Sequence, residues 1–250
     1  YPEYDPQQKS TTVADLQLVP WILGRCRTVE EVEAAVRELR VVSIDPRAST
    51  VHWRFADVSG RQVVLEIIRF YFIIFPLLSS NCWVLTNSPG FDWQMTNLNN
   101  YVNLRSGSTT AQWLGHDTEL VPFGAGSGFL GIPGDVTPPS RFVRAAFYQS
   151  SAPRQDSALQ TVLQCFRILG SFEIPIGIEF SAEEPPTDIP SATQWTSAAD
   201  LMNRKIYYNT MYNSAIRCID LRQIDFSRVK YRSVPLDETK HQSVETLTIR

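Results

Sequence analysis

From Ile67 to Leu78 the chain is almost continuously apolar, interrupted only by Arg69 and Pro76. Crossing a bilayer takes about 20 such residues in a row, so this run is too short to span one and fits a buried strand pair. The residues before it point the same way. Val51, Trp53 and Phe55 alternate with His52 and Arg54, Ser59-Gly60 supplies a turn, and Val63-Val64-Leu65-Glu66-Ile67 returns. A period of two on either side of a Gly turn predicts a β-hairpin.

Helices are expected on both sides of this sheet-forming region. Leu16, Leu18, Val19, Trp21, Ile22 and Leu23 follow a polar opening through Ser10-Thr11-Thr12 and predict a helix that Pro20 either bends or starts. Thr28-Val29-Glu30-Glu31 has the form of a capping box, and Val29, Val32, Ala35, Val36 and Leu39 share one face, so an amphipathic helix should run to about Arg40. Trp83-Val84-Leu85-Thr86 reads as a short strand leading into Asn87-Ser88-Pro89, and Phe91 to Leu104 as helical through Met95, Leu98, Tyr101 and Val102. After a loop containing Gly124, Gly126, Gly128, Gly131 and Gly134, Thr137-Pro138 gives an N-cap with Pro at the first helical position, opening a helix to about Gln149. Ser157 to Leu169 is a further helix, and Glu183-Glu184-Pro185-Pro186 a loop. Thr193–Ser197, Lys205–Met211 and Ala215–Leu221 read as a three-stranded antiparallel meander. The fold class expected is α+β, with helices packed on antiparallel sheets.

Length and charge narrow the function. The 250 residues, 43% of them hydrophobic, fit one domain, 1–250. A net charge of -3 disfavours non-specific nucleic-acid binding, which needs a basic face. The opening Tyr1-Pro2-Glu3-Tyr4 has neither Met nor a signal region, so it reads as an internal position. Three His (His52, His116, His241) and four well-separated Cys (Cys26, Cys82, Cys165, Cys218) contain no Cys-x-x-Cys, which removes the usual zinc and thioredoxin signatures. Reduced, mostly buried thiols in a cytosolic-type protein are expected, with Cys165 and Cys218 in apolar runs.

Gly126-Ser127-Gly128-Phe129-Leu130-Gly131 matches a dinucleotide fingerprint in letters only. Pro133 and Gly134 follow at once, so no helix can start where a pyrophosphate would sit. The same loop misses the spacing of a nucleophile elbow at Ala125 and Phe129. His52, on a strand, and His116, beside Asp117 in a loop, are read as packed or solvated residues rather than bases. Two polar residues remain. Asn87 precedes Ser88-Pro89, which restrains its surroundings; its amide either closes a turn or donates to a developing oxyanion. Arg141 lies in the first turn of its helix, where the macrodipole disfavours a cation, so it is either paired with a carboxylate or an ordinary surface residue.

Two long segments in register bear on these alternatives. Val84-Leu85-Thr86-Asn87-Ser88-Pro89-Gly90-Phe91-Asp92-Trp93-Gln94 with Asn97-Leu98-Asn99-Asn100-Tyr101, and Gly128-Phe129-Leu130-Gly131-Ile132-Pro133-Gly134-Asp135-Val136-Thr137-Pro138-Pro139-Ser140-Arg141-Phe142-Val143-Arg144, resemble the choloylglycine hydrolase family. Thr193-Gln194-Trp195-Thr196-Ser197, Ile206-Tyr207-Tyr208-Asn209-Thr210 and His52-Trp53 fit its hairpins. The family includes bile salt hydrolases and penicillin V acylases.

The resemblance implies an N-terminal-nucleophile hydrolase with a four-layer αββα sandwich, incomplete here at its N-terminus. Such enzymes cleave linear amide C–N bonds with an N-terminal Cys whose own α-amino group is the base. The pairing is chemically sound, because an α-amino group at about 7.7–8.0 can take the proton of a thiol near 8.5. By motif, Asn87 takes the place of the oxyanion-hole asparagine and Arg141 that of the arginine ordering the nucleophile's polar network. The Cys, an Arg and an Asp soon after it, and a second Asn are expected upstream of Tyr1, since none of Cys26, Cys82, Cys165 or Cys218 holds that position. Arg69 to Cys82 departs from the family, which usually has a polar turn and short strand there.

The function expected is hydrolysis of conjugated bile salts or penicillin V-like acyl amides once the upstream segment is supplied, this chain alone being inactive. The competing expectation is a truncated or degenerate member acting as a binding or structural module. The expected partner is a small acyl amide, without cofactor, metal, nucleic acid or membrane span. The resemblance adds a possible homotetramer, and the expected location is cytoplasmic, with periplasmic or secreted left open.

Overall fold

The computed structural model describes residues 12–44, 51–69, 71–77, 84–184, 187 and 190–249. Two compact units are formed, Tyr1–Ser151 and Ala152–Arg250. Both combine helices with sheets, as an α+β chain should.

In the first unit, β1 (Thr12–Ala14) leads through a 3-10 turn into α1 (Leu18–Leu23). Pro20 sits in the first turn of α1, where its missing N–H costs nothing. Next, α2 (Val29–Arg37) begins at Thr28, whose hydroxyl accepts the Glu31 N–H at 3.2 Å. The return bond of the box goes elsewhere: Glu31 accepts from the Arg27 N–H, and the Val29 N–H donates to Asp57 at 2.9 Å. The helix also stops short of Arg40. Arg40–Val42 is β2, a strand parallel to β1 with Thr12 opposite Arg40. Val41 is buried there, so a pairing with the distant β1 overrides the helical spacing of the residues before it.

The hairpin forms as expected from β3 (Trp53–Ala56) and β4 (Gln62–Ile68), with Trp53 opposite Leu65. Gly60 takes the positive φ of 84° that the turn requires. Then β5 (Tyr71–Leu77) returns along β4, with Glu66 opposite Ile73, giving the order β3-β4-β5. Of the apolar run, Ile67 on the central strand is buried, while Ile68 at the end of that strand is exposed. On β5, Phe72 and Ile74 pack into the α1–α2 side of the core, while on the alternate face Tyr71 and Ile73 are exposed and Phe75 packs with the second cluster. Phe70, the stretch 78–83 with Cys82 and Trp83, Ser10-Thr11 and Pro185-Pro186 lie outside the described residues. Val84–Thr86 is irregular rather than a strand, with no ladder partner among the described residues.

Alternation along β4 divides the core. Val63, Leu65 and Ile67 join Leu18, Ile22, Val29, Val32 and Val36 on one face, so α1 and α2 cover it. Val64 packs with Val84, Phe91, Phe142 and Ala146 on the other. That second layer comes from α3 (Phe91–Asn97), which tightens into a 3-10 turn over Leu98–Tyr101 instead of staying α-helical to Leu104, and from a later helix. Between them lies a hairpin that the sequence reading left out, β6 (Gln112–Leu114) and β7 (Thr118–Leu120), with exposed His116-Asp117 at its turn. The later helix, α4 (Pro138–Ser151), starts at Pro138 as expected.

In the second unit, α5 (Ala158–Gly170) is capped by Ser157, whose hydroxyl accepts from the Gln160 N–H. The meander follows as β8 (Trp195–Asp200), β9 (Lys205–Thr210) and β10 (Asn213–Asp220), antiparallel in the order β10-β9-β8. Cys218 is exposed, against the expectation of burial, on the outer strand β10, which contributes no residue to the buried core clusters among the described residues; Cys165 is half-buried. Among the described residues no helix is long and apolar enough to cross a membrane.

Candidate active site

The two segments that carry the sequence motifs meet in the first unit. Asn87 lies in the turn Asn87-Ser88-Pro89-Gly90 before α3, and Arg141 in the first turn of α4. Arg141 Nη2 donates to Asn87 Oδ1 at 2.7 Å across 54 residues of sequence, and its Nε donates to the Val136 carbonyl at 3.0 Å. These two partners are amide oxygens, one from a side chain and one from the backbone. A guanidinium held at two points is a rigid donor. With its oxygen engaged, Asn87 must present its NH2 the other way, and Nδ2 has no acceptor among the described residues.

Packing fixes this separation. Phe91 and Phe142 meet edge to face with centroids 6.2 Å apart, and Phe75 lies 5.6 Å from Phe91. Each ring sits close in sequence to one site residue, so the α3–α4 contact sets how far Arg141 must reach.

The approach to α4 is braced by its own polar groups. Asp135 accepts from the Thr137 N–H at 2.9 Å and from the hydroxyls of Thr137 and Ser140. The Ser140 hydroxyl, followed by Thr137, holds its carboxyl down at about 2. Arg144, buried, donates to the carbonyls of Pro133 and Asp135, each at 2.7 Å. The glycine-rich loop serves the same brace. Gly128 exchanges backbone hydrogen bonds with Arg105 and Gly107, and a Cβ on it would lie 2.4 Å from the Arg105 carbonyl. A 3-10 turn at Ser127–Phe129 stands where a dinucleotide fold would start a helix, which agrees with rejecting that motif.

Two polar residues near the site, Glu66 and Gln94, escaped the sequence reading. Glu66 is buried on β4 beneath α3, and its Oε1 accepts the Phe91 N–H at 2.7 Å. His52 Nδ1 lies 2.5 Å from the same oxygen, in a bent approach that makes no in-line hydrogen bond. His52 is thus packed, as expected. Gln94, fully buried, donates to Thr86 Oγ1 at 3.4 Å while its Oε1 has no partner. A carboxylate inside an otherwise apolar strand was the one signal available for Glu66.

No three His, Cys, Asp or Glu side chains among the described residues are grouped to hold a metal ion. Burial pushes the thiol of Cys26 up, with Glu31 adding to the effect, and burial raises that of Cys165. Both shifts disfavour the thiolate a nucleophile needs.

Residues 1–239 match the family of linear amide C–N hydrolases, choloylglycine hydrolase family. The chain belongs to that family. It is 34% identical over 226 residues to a bile salt hydrolase/transferase of Clostridium perfringens, covering 88% of this chain and 66% of that one. It is 33% identical to the bile salt hydrolase/transferase of Lactiplantibacillus plantarum, covering 94% and 71%. The chain therefore spans about two thirds of the length of these relatives. Among solved structures, a mutant conjugated bile acid hydrolase from Clostridium perfringens superposes with a TM-score of 0.78 at 28% identity, over 99% of this chain and 74% of that one. Penicillin V acylase from Agrobacterium tumefaciens shares the fold, with a TM-score of 0.65 at 22% identity over 90% of this chain and 61% of that one.

Proposed function

We propose that the protein carrying this chain hydrolyses linear amide C–N bonds in conjugated bile salts or penicillin V-like acyl amides. The observation that carries this reading is the hydrogen bond from Arg141 to Asn87, which turns the Asn87 NH2 outward as a fixed donor at the surface. Family membership and the named activities of the relatives support it. The nucleophile of this reading is an N-terminal Cys upstream of Tyr1, with an Arg, an Asp and a second Asn from the same segment. The raised thiols of Cys26 and Cys165 fit that placement.

In the reaction, the α-amino group of that Cys takes its thiol proton and the sulfur attacks the amide carbon. The oxyanion formed accepts from Asn87 Nδ2, a donor already oriented and therefore needing no reorganisation as charge develops. Collapse breaks the C–N bond, the amine leaves with the proton held by the α-ammonium, and a thioester remains. Water then adds to the thioester, releasing the acid and restoring the thiol. Arg141 acts by holding the Asn87 amide.

The test is an assay of the full-length protein for release of glycine and taurine from conjugated bile salts and of phenoxyacetate from penicillin V. Release of any of the three supports hydrolysis and identifies the preferred acyl amide. No release by folded protein supports the competing reading of a non-catalytic member. Sedimentation velocity on the same sample tests the homotetramer that belongs to this reading.

A further inference from the structure

Glu66 has no role in the reaction as written, yet its surroundings are built around it. The residues Val63–Ile67 are all buried, and Glu66 is 3% exposed among them. A carboxylate in such a place is costly unless polar partners meet it. The Phe91 N–H does so by a hydrogen bond to Oε1 at 2.7 Å, and the His52 ring lies 2.5 Å from the same oxygen without an in-line hydrogen bond. The β3–β4 register begins with Trp53 opposite Leu65, and His52, the residue just before β3, brings its ring against Glu66. Its other oxygen faces Gly90, where a Cβ would come within 3.1 Å of Oε2. The carboxylate therefore fills the space beneath the Gly90-Phe91 peptide, at the end of the turn that bears Asn87.

Among the described residues the Gly90 carbonyl accepts the Gln94 N–H at 3.0 Å, as the first bond of α3, and side chains tie the turn at both ends. Its entry is tied by Gln94 to Thr86 at 3.4 Å, a long contact, and its exit by Phe91 to Glu66 at 2.7 Å, a charge-assisted one. Arg141 fixes the Asn87 amide but can do so only where the backbone presents it. We propose that Glu66, with His52 against it, is a positioning residue that sets the Asn87 turn through the Phe91 N–H. This rests on the proposed role of Asn87 as the oxyanion donor.

A double-mutant cycle in the full-length protein tests it, using Glu66→Ala, Asn87→Ala and their combination. The proposal expects Glu66→Ala to lower kcat by about 10- to 100-fold with KM within about twofold, since a small displacement of a fixed donor is costly. Glu66→Gln, which keeps an oxygen at the same reach, should recover most of that loss. In the Asn87→Ala background, Glu66→Ala should cost less than about threefold more, because the donor it positions is gone. Full additivity of the two losses overturns the proposal. Amide hydrogen exchange decides the structural part independently of activity. In Glu66→Ala, protection of Phe91 N–H should fall at least about tenfold while that of β4 is kept. Unchanged protection at Phe91 overturns it. An inactive wild-type protein with the expected exchange pattern would count against the hydrolase reading and leave the Glu66 arrangement standing.

Discussion

Arg141 reaches Asn87 across 54 residues of sequence with a 2.7 Å hydrogen bond, and its Nε is anchored at 3.0 Å on the Val136 carbonyl. A two-point hold of this kind needs a planar fork of donors. Lysine carries its three donors on one nitrogen at the end of a flexible stem, so it does not reproduce the fixed spacing of Nε and Nη2. Arg141→Lys in the full-length protein should therefore lower kcat by about 10- to 100-fold, the equivalent of losing one charged hydrogen bond of about 1.5–3 kcal/mol. Steady-state kinetics together with a thermal melt check this, and the melt should move little.

The edge-to-face pair of Phe91 and Phe142 supports that contact from below. Phe142 is fully buried, so Phe142→Ala removes its apolar burial and leaves a cavity. A loss of about 3–5 kcal/mol in unfolding free energy is expected. Urea denaturation measures it.

Gly128→Ala tests the brace beneath α4. A Cβ there meets the Arg105 carbonyl at 2.4 Å and the Gly107 carbonyl at 2.9 Å, both backbone atoms that cannot turn aside. The strand of loop must shift, at about 1–3 kcal/mol. A melting temperature equal to that of the parent would contradict the close approach.

Asp135 gives a pH signature. Hydrogen bonds from Ser140 and Thr137 lower its carboxyl to about 2 in the folded chain, so folding favours its ionised form. For a depressed acid, the stabilisation is complete above the ordinary carboxylate range near 4 and fades as pH falls toward about 2. The difference in stability between the parent and Asp135→Asn should be constant above about pH 5 and shrink below about pH 4. Acid titration monitored by circular dichroism on both proteins tests it, and a difference that grows on acidification would contradict the assignment.

Local patterns made much of this fold legible. The β3–β4 hairpin was carried by alternation and Gly60, the start of α4 by Thr137-Pro138, and the meander by its spacing. Where the reading failed, distant partners decided the outcome. Arg40–Val42 leaves the helical pattern to pair with β1, and the N–H of Val29 is taken by Asp57. Cys218 lies in an apolar run but on an edge strand, and edge position is set by topology. The site was less legible still. Residue chemistry left Asn87 and Arg141 with ordinary alternatives, and the family motifs singled them out. Glu66 gained its place from the His52 ring against it and from a helix that starts 25 residues later.

Asn87 is the oriented donor of the proposed reaction, and it is exposed, so its removal should leave the fold intact. The most direct measurement is kcat of full-length Asn87→Ala for release of glycine or taurine from conjugated bile salts and of phenoxyacetate from penicillin V. A loss of about 100- to 1000-fold relative to the parent, at an unchanged melting temperature, is the predicted result. Equal turnover of parent and variant on these substrates would contradict it.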